Sequence, residues 1–324
     1  MAITTMKSKK NVLICGATGF IGKNILLNLS KNKNYNIFAI FNKSKKIPIS
    51  GVKWIKANLT SFRQVKKITK NVDIIIQAAA TTSGAKDIVH MPFLHVTDNA
   101  VMNSYLLRST FENKIEHFIF FSCTVMYSPS NYAVKENDFK SSKNIYPKYF
   151  GVANTKLYIE KMCEFFSKIN NTKFTCIRHS NIYGQFDKFD LEKSHFFGAS
   201  VNKVINAKNQ ITIWGDGQEK RDLLHIDDLV NFVNKCINHQ NKKFRIYNCG
   251  YGKAFKVKDI ILKIVKYSKK KLKIKHDLEK PSIKTSLHLN CDLAKNELGW
   301  KRNIDLDIGI KKTINWYKSN KLKM

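Results

Sequence analysis

The sequence predicts an α/β protein, a doubly wound parallel sheet followed by a smaller mixed α/β lobe. Three observations carry that expectation. Short apolar runs alternate with amphipathic stretches through the first half of the chain, a glycine-rich turn links the first run to the first helical stretch, and the alternation loosens after about Ser180. A length of 324 residues suits one large unit with an appended lobe, or two domains.

The apolar runs are Asn11 to Cys15, Asn36 to Phe41, Val52 to Ile55, Val72 to Ile76, His117 to Phe121 and Phe174 to Arg178. Each is short, rich in Ile, Val and Phe, and apolar at successive positions, so both faces are buried, as in a parallel sheet. Helices are expected at Phe20 to Lys31, Phe62 to Thr69, Thr97 to Phe111 and Lys148 to Ile169. Alternating strands and helices imply right-handed crossovers. Later helices are expected at Ala199 to Ala207, Ile226 to His239, Val257 to Lys269 and Ile308 to Ser319. We therefore divide the chain into a dinucleotide-binding domain, 1–180, and a mainly substrate-binding lobe, 181–324, with a segment near 226–250 returning to the main sheet through a strand at Arg245 to Asn248.

Composition excludes several classes. Hydrophobic residues make up 43%, with 14 glycines and 5 prolines, which suits a packed core and not disorder or collagen. No apolar run is long enough to span a membrane, and the first apolar segment belongs to the glycine motif, so neither a membrane partner nor a signal peptide is expected and the location should be cytoplasmic. Seven scattered cysteines without a CxxC pattern suit reduced thiols and no metal site. The formal charge of +33 invites a nucleic-acid partner, but only six of the 57 basic residues are arginine and the lysines are spread evenly. Such a coat attracts small anions without specific nucleic-acid recognition.

The first strand runs into Gly16-Ala17-Thr18-Gly19-Phe20-Ile21-Gly22 and then a helix. Glycines so placed permit a tight turn, a close approach of backbone to pyrophosphate, and close packing of helix on strand, which is the dinucleotide fingerprint of the Rossmann fold. Cofactor neighbours are then Gly16, Thr18, Gly19, Phe20, Ile21 and Gly22 in the turn, Asn42 and Lys43 after the second run, Asn58 and Leu59 after the third, and Ala78, Ala79 and Ala80 after the fourth. The stretch Phe41 to Lys46 carries lysines and no carboxylate where a ribose 2′-hydroxyl would want one, so NADP(H) is favoured, with NAD(H) the alternative.

These residues, with Asp73 to Ala80, Ser122 to Tyr127, Asn181 to Gly184, Trp214 to Gly217 and Arg221 to Leu229, resemble the extended short-chain dehydrogenase/reductase family of the NAD-dependent epimerase/dehydratase type, over nearly the whole chain. Within that family, Asp187 to His195 is similar to a stretch of the GDP-L-fucose synthases, NADPH-dependent epimerase/reductases acting on GDP-4-keto-6-deoxymannose. The resemblance implies a nucleotide-sugar substrate, a homodimer formed through the long helices around 97–111 and 148–169, and substrate contacts from Asn181, Lys203, Trp214 and Arg221.

The resemblance also implies a hydroxyl after the fifth strand and a tyrosine four residues before a lysine, a spacing that puts both on one helical face. Lys156 fits the lysine, but Val152 stands where the tyrosine is expected. Tyr149 is the nearest phenol, about 10 Å farther along a continuous helix, unless Gly151 breaks that helix. Cys123 stands at the hydroxyl position, with Thr124 the alternative if the register slips by one. Val125 replaces the synthases' epimerising cysteine, while His195, their other acid/base, is kept. The catalytic candidates are thus Lys156, His195, Cys123, Thr124 and Tyr149.

An NADP-dependent sugar-nucleotide reductase or epimerase/reductase follows, possessing a GDP-linked keto-sugar as its candidate substrate. A nucleotide-sugar 4-epimerase or dehydratase with resident NAD, and a non-catalytic NADP or nucleotide-sugar binding protein, are the alternatives.

Overall fold

The structure is a computed structural model describing residues 8–81, 91–139, 145–191, 194–279 and 286–321. Its strands are β1 (Lys10–Cys15), β2 (Tyr35–Phe41), β3 (Val52–Lys56), β4 (Ile74–Gln77), β5 (His117–Phe121), β6 (Ala133–Val134), β7 (Lys173–His179), β8 (Asn181–Tyr183), β9 (Gln210–Trp214), β10 (Lys220–His225), β11 (Phe244–Cys249), β12 (Ala254–Lys256), β13 (Lys273–Asp277) and β14 (His288–Leu289). The helices are α1 (Phe20–Leu29), α2 (Phe62–Ile68), α3 (Pro92–Glu112), α4 (Phe150–Ile169), α5 (Phe196–Asn206), α6 (Ile226–His239), α7 (Val257–Ser268), α8 (Asp292–Leu298) and α9 (Leu306–Asn320).

Seven strands form one sheet in the order β11-β7-β5-β4-β1-β2-β3, every neighbouring pair parallel. Period-two alternation sends Val12 and Ile14 to one face, against α1, α6 and α8, and Leu13 and Cys15 to the other, against α2, α3 and α4. Both faces are therefore covered, which is why these strands read as unbroken apolar runs. The chain lays strands to one side of β1 and then to the other, so a crevice opens above the carboxyl ends of β1 and β4. A separate core gathers Phe197, Val201, Ile213, Leu223, Ile260 and Ile310 around α5, α7 and α9. Among the described residues no helix is long and apolar enough to cross a membrane.

Several element limits differ from expectation. Helix α3 begins at Pro92 and not Thr97, because a proline in the first turn is already set at a helical φ and lacks only an N–H that no carbonyl would accept. Helix α4 begins at Phe150 after a separate 3₁₀ turn at Pro147–Tyr149, where one continuous helix from Lys148 was expected. Helix α5 starts three residues early, at Phe196. The strand expected at Arg245 to Asn248 is present as β11 and joins the main sheet, whereas the short α8 and the other short strands beyond β7 carry too little periodicity to be read from sequence.

Candidate active site

The glycine turn forms a cradle that larger residues would fill. Gly16 has φ +72°, and a Cβ there would meet the Ala79 backbone nitrogen at 2.6 Å; one on Gly22 would meet the Gly16 carbonyl oxygen at 2.2 Å. Gly19 caps α1 without a side-chain acceptor, and the first turn holds no carboxylate, so its amides face the crevice ready for an anion. Ala78, Ala79 and Ala80 continue β4 directly against Gly16, while Thr18, Phe20 and Ile21 are half-buried in the turn. The loop after β4 is pinned by Asn99 of α3, whose Oδ1 accepts the Thr81 amide at 2.9 Å and whose Nδ2 donates to the Thr81 carbonyl at 3.1 Å. Past β2, Asn42 and Lys43 are exposed together with Lys45 and Lys46. Asn58 is exposed and its Oδ1 accepts the Thr60 amide, whereas Leu59 is buried in the core below. This donor set fits a dinucleotide diphosphate.

Lys156 lies on α4, and its ammonium donates to the Phe121 carbonyl at 2.7 Å and sits 4.6 Å from the Phe120 ring centroid. Burial holds that ammonium below its ordinary pKa, partly offset by Cys123 and Glu160. Cys123 is half-buried beside it; burial pushes the thiol up, and the Lys156 charge opposes. Cys123 and Val125 pack against the same cluster of Met126, Ile145 and Ala153, as does Tyr149. Thr124 is half-buried, its carbonyl accepting the Tyr127 amide at 3.0 Å in a turn. Tyr149 is carried inward by the 3₁₀ turn. Gly151 does not break the helix; it lets α4 approach α3, since a Cβ there would meet Val96 at 2.9 Å. Burial raises the Tyr149 phenol, opposed by the neighbouring Arg221 charge.

The lobe supplies His195, which caps α5 from an exposed position. The surrounding protein lowers its pKa and Lys188 lowers it further. The loop before α5 is clasped to the helix: a Cβ on Gly198 would meet the Lys188 carbonyl oxygen at 2.2 Å, and the Asp187 Oδ1 accepts the Lys188 amide at 2.7 Å. Burial pushes the Asp187 carboxyl up to about 7. Glu192 and Lys193 lie outside the described residues. Lys203 of α5 reaches Trp214 at the end of β9, its ammonium 5.0 Å from the ring centroid, and Trp214 is half open to solvent. Arg221 is half-buried on β10, and Asn181 at the start of β8 donates to the Asp222 carbonyl at 3.1 Å.

Two groups escaped the sequence reading. Glu160, one helical turn after Lys156, is buried in a bidentate pair with Arg178, with Nε to Oε1 at 3.0 Å and Nη2 to Oε2 at 2.6 Å, and accepts the Ser122 hydroxyl at 2.6 Å. The i to i+4 spacing from Lys156 was a usable signal for it. His179 ends β7 with its ring 6.2 Å from Phe121, edge to face. Inside an apolar strand a lone histidine gives no spacing signal at all.

A parallel doubly wound sheet with a glycine cradle at its switch point and a buried lysine at the end of β5 defines a nicotinamide-dinucleotide enzyme. Residues 12–250 match the NAD dependent epimerase/dehydratase family, and the chain belongs to that family. It is 27% identical over 316 residues to GDP-L-colitose synthase of Yersinia pseudotuberculosis, covering 96% of this chain and 98% of the relative. It is 24% identical over 326 residues to GDP-L-fucose synthase of Azorhizobium caulinodans, covering 96% and 97%. Among solved structures, UDP-glucuronic acid 4-epimerase from Bacillus cereus in complex with UDP-glucuronic acid and NAD is similar over 95% of this chain and 99% of its own, with a TM-score of 0.82 at 22% identity.

Proposed function

We propose that this protein is an NADP-dependent sugar-nucleotide epimerase/reductase acting on a GDP-linked keto-sugar. Two features support it, the glycine cradle at the ends of β1 and β4 and Lys156 at the end of β5, whose charge, like that of His195, reaches His179; the GDP-sugar synthases among the relatives support it further. The amides of α1 would hold the diphosphate of the dinucleotide, and the exposed Lys43, Lys45 and Lys46 would favour a 2′-phosphate. When bound, the nicotinamide exchanges hydride with the sugar. Lys156 would then orient the cofactor ribose, while Cys123 or Tyr149 would donate a hydrogen bond to the ketone. Lys203, Arg221, Asn181 and the Trp214 ring would bind the nucleoside diphosphate. The 1–180 and 181–324 division would separate cofactor from sugar, with β11 as the lobe's return to the main sheet.

A cytoplasmic homodimer is part of the proposal. Helices α3 and α4 pack together and leave Phe93, Val101, Phe111, Tyr158, Phe165 and Ile169 exposed, an apolar row that a second copy would cover. Sedimentation velocity should give twice the chain mass. The functional test pairs cofactor titration with a panel of GDP-, UDP-, CDP- and dTDP-linked keto-sugars. We expect at least tenfold tighter binding of NADPH than NADH, and oxidation of NADPH with a GDP-linked 4-keto-sugar. A firmly bound NAD after mild purification would instead favour the resident-cofactor 4-epimerase, as in the Bacillus cereus complex. Binding without turnover across the panel would reduce the chain to a sensor.

A further inference from the structure

We propose that His179 is the base that removes a proton from the sugar carbon beside the ketone, with His195 returning one from the opposite wall, so that the centre is inverted. The inference rests on the epimerase/reductase proposal above and assigns its epimerising residues.

The position of His179 follows from the sheet. Strands β5 and β7 pair with Phe121 opposite Ile177, and the Ser122 amide donates to the Ile177 carbonyl at 2.8 Å. Two residues past Ile177, His179 ends β7 on the face opposite to Arg178, whose guanidinium turns to Glu160 of α4, while Cys123, beyond the end of β5, packs with Ala153 of that helix. The Phe121 carbonyl holds the Lys156 ammonium and the Phe121 ring meets the His179 ring, so lysine and imidazole flank one residue.

The tautomer is set by a carbonyl. His179 Nδ1 lies 2.8 Å from the Ser180 carbonyl oxygen, which can only accept, so Nδ1 carries the hydrogen and Nε2 keeps a lone pair. Burial takes the imidazole down to about 4, against the Ser180 bond, and the charges of Lys156 and His195 lower it further. The ring is therefore neutral, a base and not an acid. Substrate diphosphate brings negative charge to the site and draws that pKa back toward neutrality.

The other candidates are worse placed. Val125 has no ionisable group, the Cys123 thiol is pushed up by burial, and Ser122 is tied to Glu160. In the step itself the C–H bond adjacent to the ketone breaks, its proton passes to Nε2, and its electron pair forms an enolate with the charge on the ketone oxygen. His195, having taken a proton from solvent, donates it as imidazolium to the same carbon from the other face and restores the ketone, and His179 gives its proton up to solvent, so both rings end neutral. No oxidant or reductant is consumed.

The test is solvent exchange without any nicotinamide cofactor. The protein is incubated with GDP-4-keto-6-deoxymannose in D₂O and deuterium uptake into the sugar is read by mass spectrometry. Two variants are compared with the wild type: His179→Asn, whose amide keeps the Ser180 bond and removes Nε2, and His179→Gln. We expect wild-type exchange, and a loss of about 10²-fold or more in both variants, with thermal transition and NADPH binding retained. Exchange surviving in both variants overturns the role of His179 and leaves the proposed function standing. Wild type that reduces the ketone with NADPH yet exchanges no deuterium also overturns it, since the enzyme is then a reductase alone. Wild type that neither exchanges nor reduces any sugar of the panel sinks the proposed function, and this inference with it.

Discussion

Adjacent residues at the ends of β5 and β7 serve two different regions. Ser122 and Arg178 face α4, where Glu160 takes both, and Arg178 Nη1 donates to the Tyr127 hydroxyl at 2.9 Å, which donates in turn to Asn248 Oδ1 at 2.8 Å. Cys123 and His179, the next residue in each case, form no ion pair among the described residues; the Lys156 charge acts on both, and that of Glu160 on the thiol. In the first region every buried charge meets its opposite, and the Arg178 guanidinium is held still more firmly protonated by Glu160. In the second, burial outweighs the nearby charges of Lys156 and Glu160 and pushes thiol up, ammonium and imidazole down. Paired burial fixes structure; unpaired burial tunes proton affinity.

The largest effect should come from breaking the paired side. Glu160→Gln leaves Arg178 charged and buried without its carboxylate, which should lower stability by about 3–5 kcal/mol in urea unfolding. Any protein that remains folded should still bind the dinucleotide, because the glycine cradle lies at β1 and β4. An unchanged urea midpoint would mean the two regions do not differ as described.

Gly16→Ala strikes the crevice from its backbone. Alanine at φ +72° with its methyl on the Ala79 nitrogen is strained, at about 1–3 kcal/mol, and the turn must shift away from the diphosphate. Calorimetry should show dinucleotide binding weakened at least tenfold. Retained binding with full stability would move the cofactor away from this turn.

The sheet was legible because burial on both faces leaves unbroken apolar runs, and the cradle because only glycine permits Gly16's φ and Gly22's contact with a carbonyl. Lys156 was legible through the family resemblance, as the lysine of the helical tyrosine-lysine pair whose tyrosine position is Val152. What escaped depends on tertiary neighbours. The pairing of Glu160 with Arg178 joins a helix to a strand 18 positions on, and His179 matters through the ring of Phe121 and the carbonyl of Ser180, neither of which leaves a period in the sequence. Tyr149 enters the site region through a 3₁₀ turn that Pro147 starts, which helical spacing alone could not place.

Acid should separate the two regions more gently. Three buried imidazoles have folded pKa values depressed by burial: His117 to about 3, His179 to about 4 and His225 to about 4. Between those values and the ordinary 6.5 the unfolded chain binds more protons, so stability present above pH 6.5 is lost as pH falls toward 4. Each imidazole adds at most about 1.4 kcal/mol per pH unit to that slope. Arg178 stays charged throughout and adds none. Thermal scans at pH 7 and pH 5 should show a smaller acid loss in His179→Asn than in wild type; equal losses would mean the ring is already charged, or exposed, in the folded protein.

The smallest effect should be that of Cys123→Ser, one residue from Ser122 but outside the Glu160 pair. The thiol has no ion pair to lose, and serine is slightly smaller, so stability should change by no more than about 1 kcal/mol, against several for Glu160→Gln. Activity tells more than stability here. A hydroxyl is a stronger hydrogen-bond donor than a thiol, so if position 123 steadies the ketone oxygen, reduction with NADPH should hold or quicken in the serine variant. A tenfold or greater fall would mean that the sulfur itself carries charge during turnover. In that case Lys156, which already opposes the burial of this thiol, supplies the cation that stabilises a thiolate, and the crevice holds one pair after all.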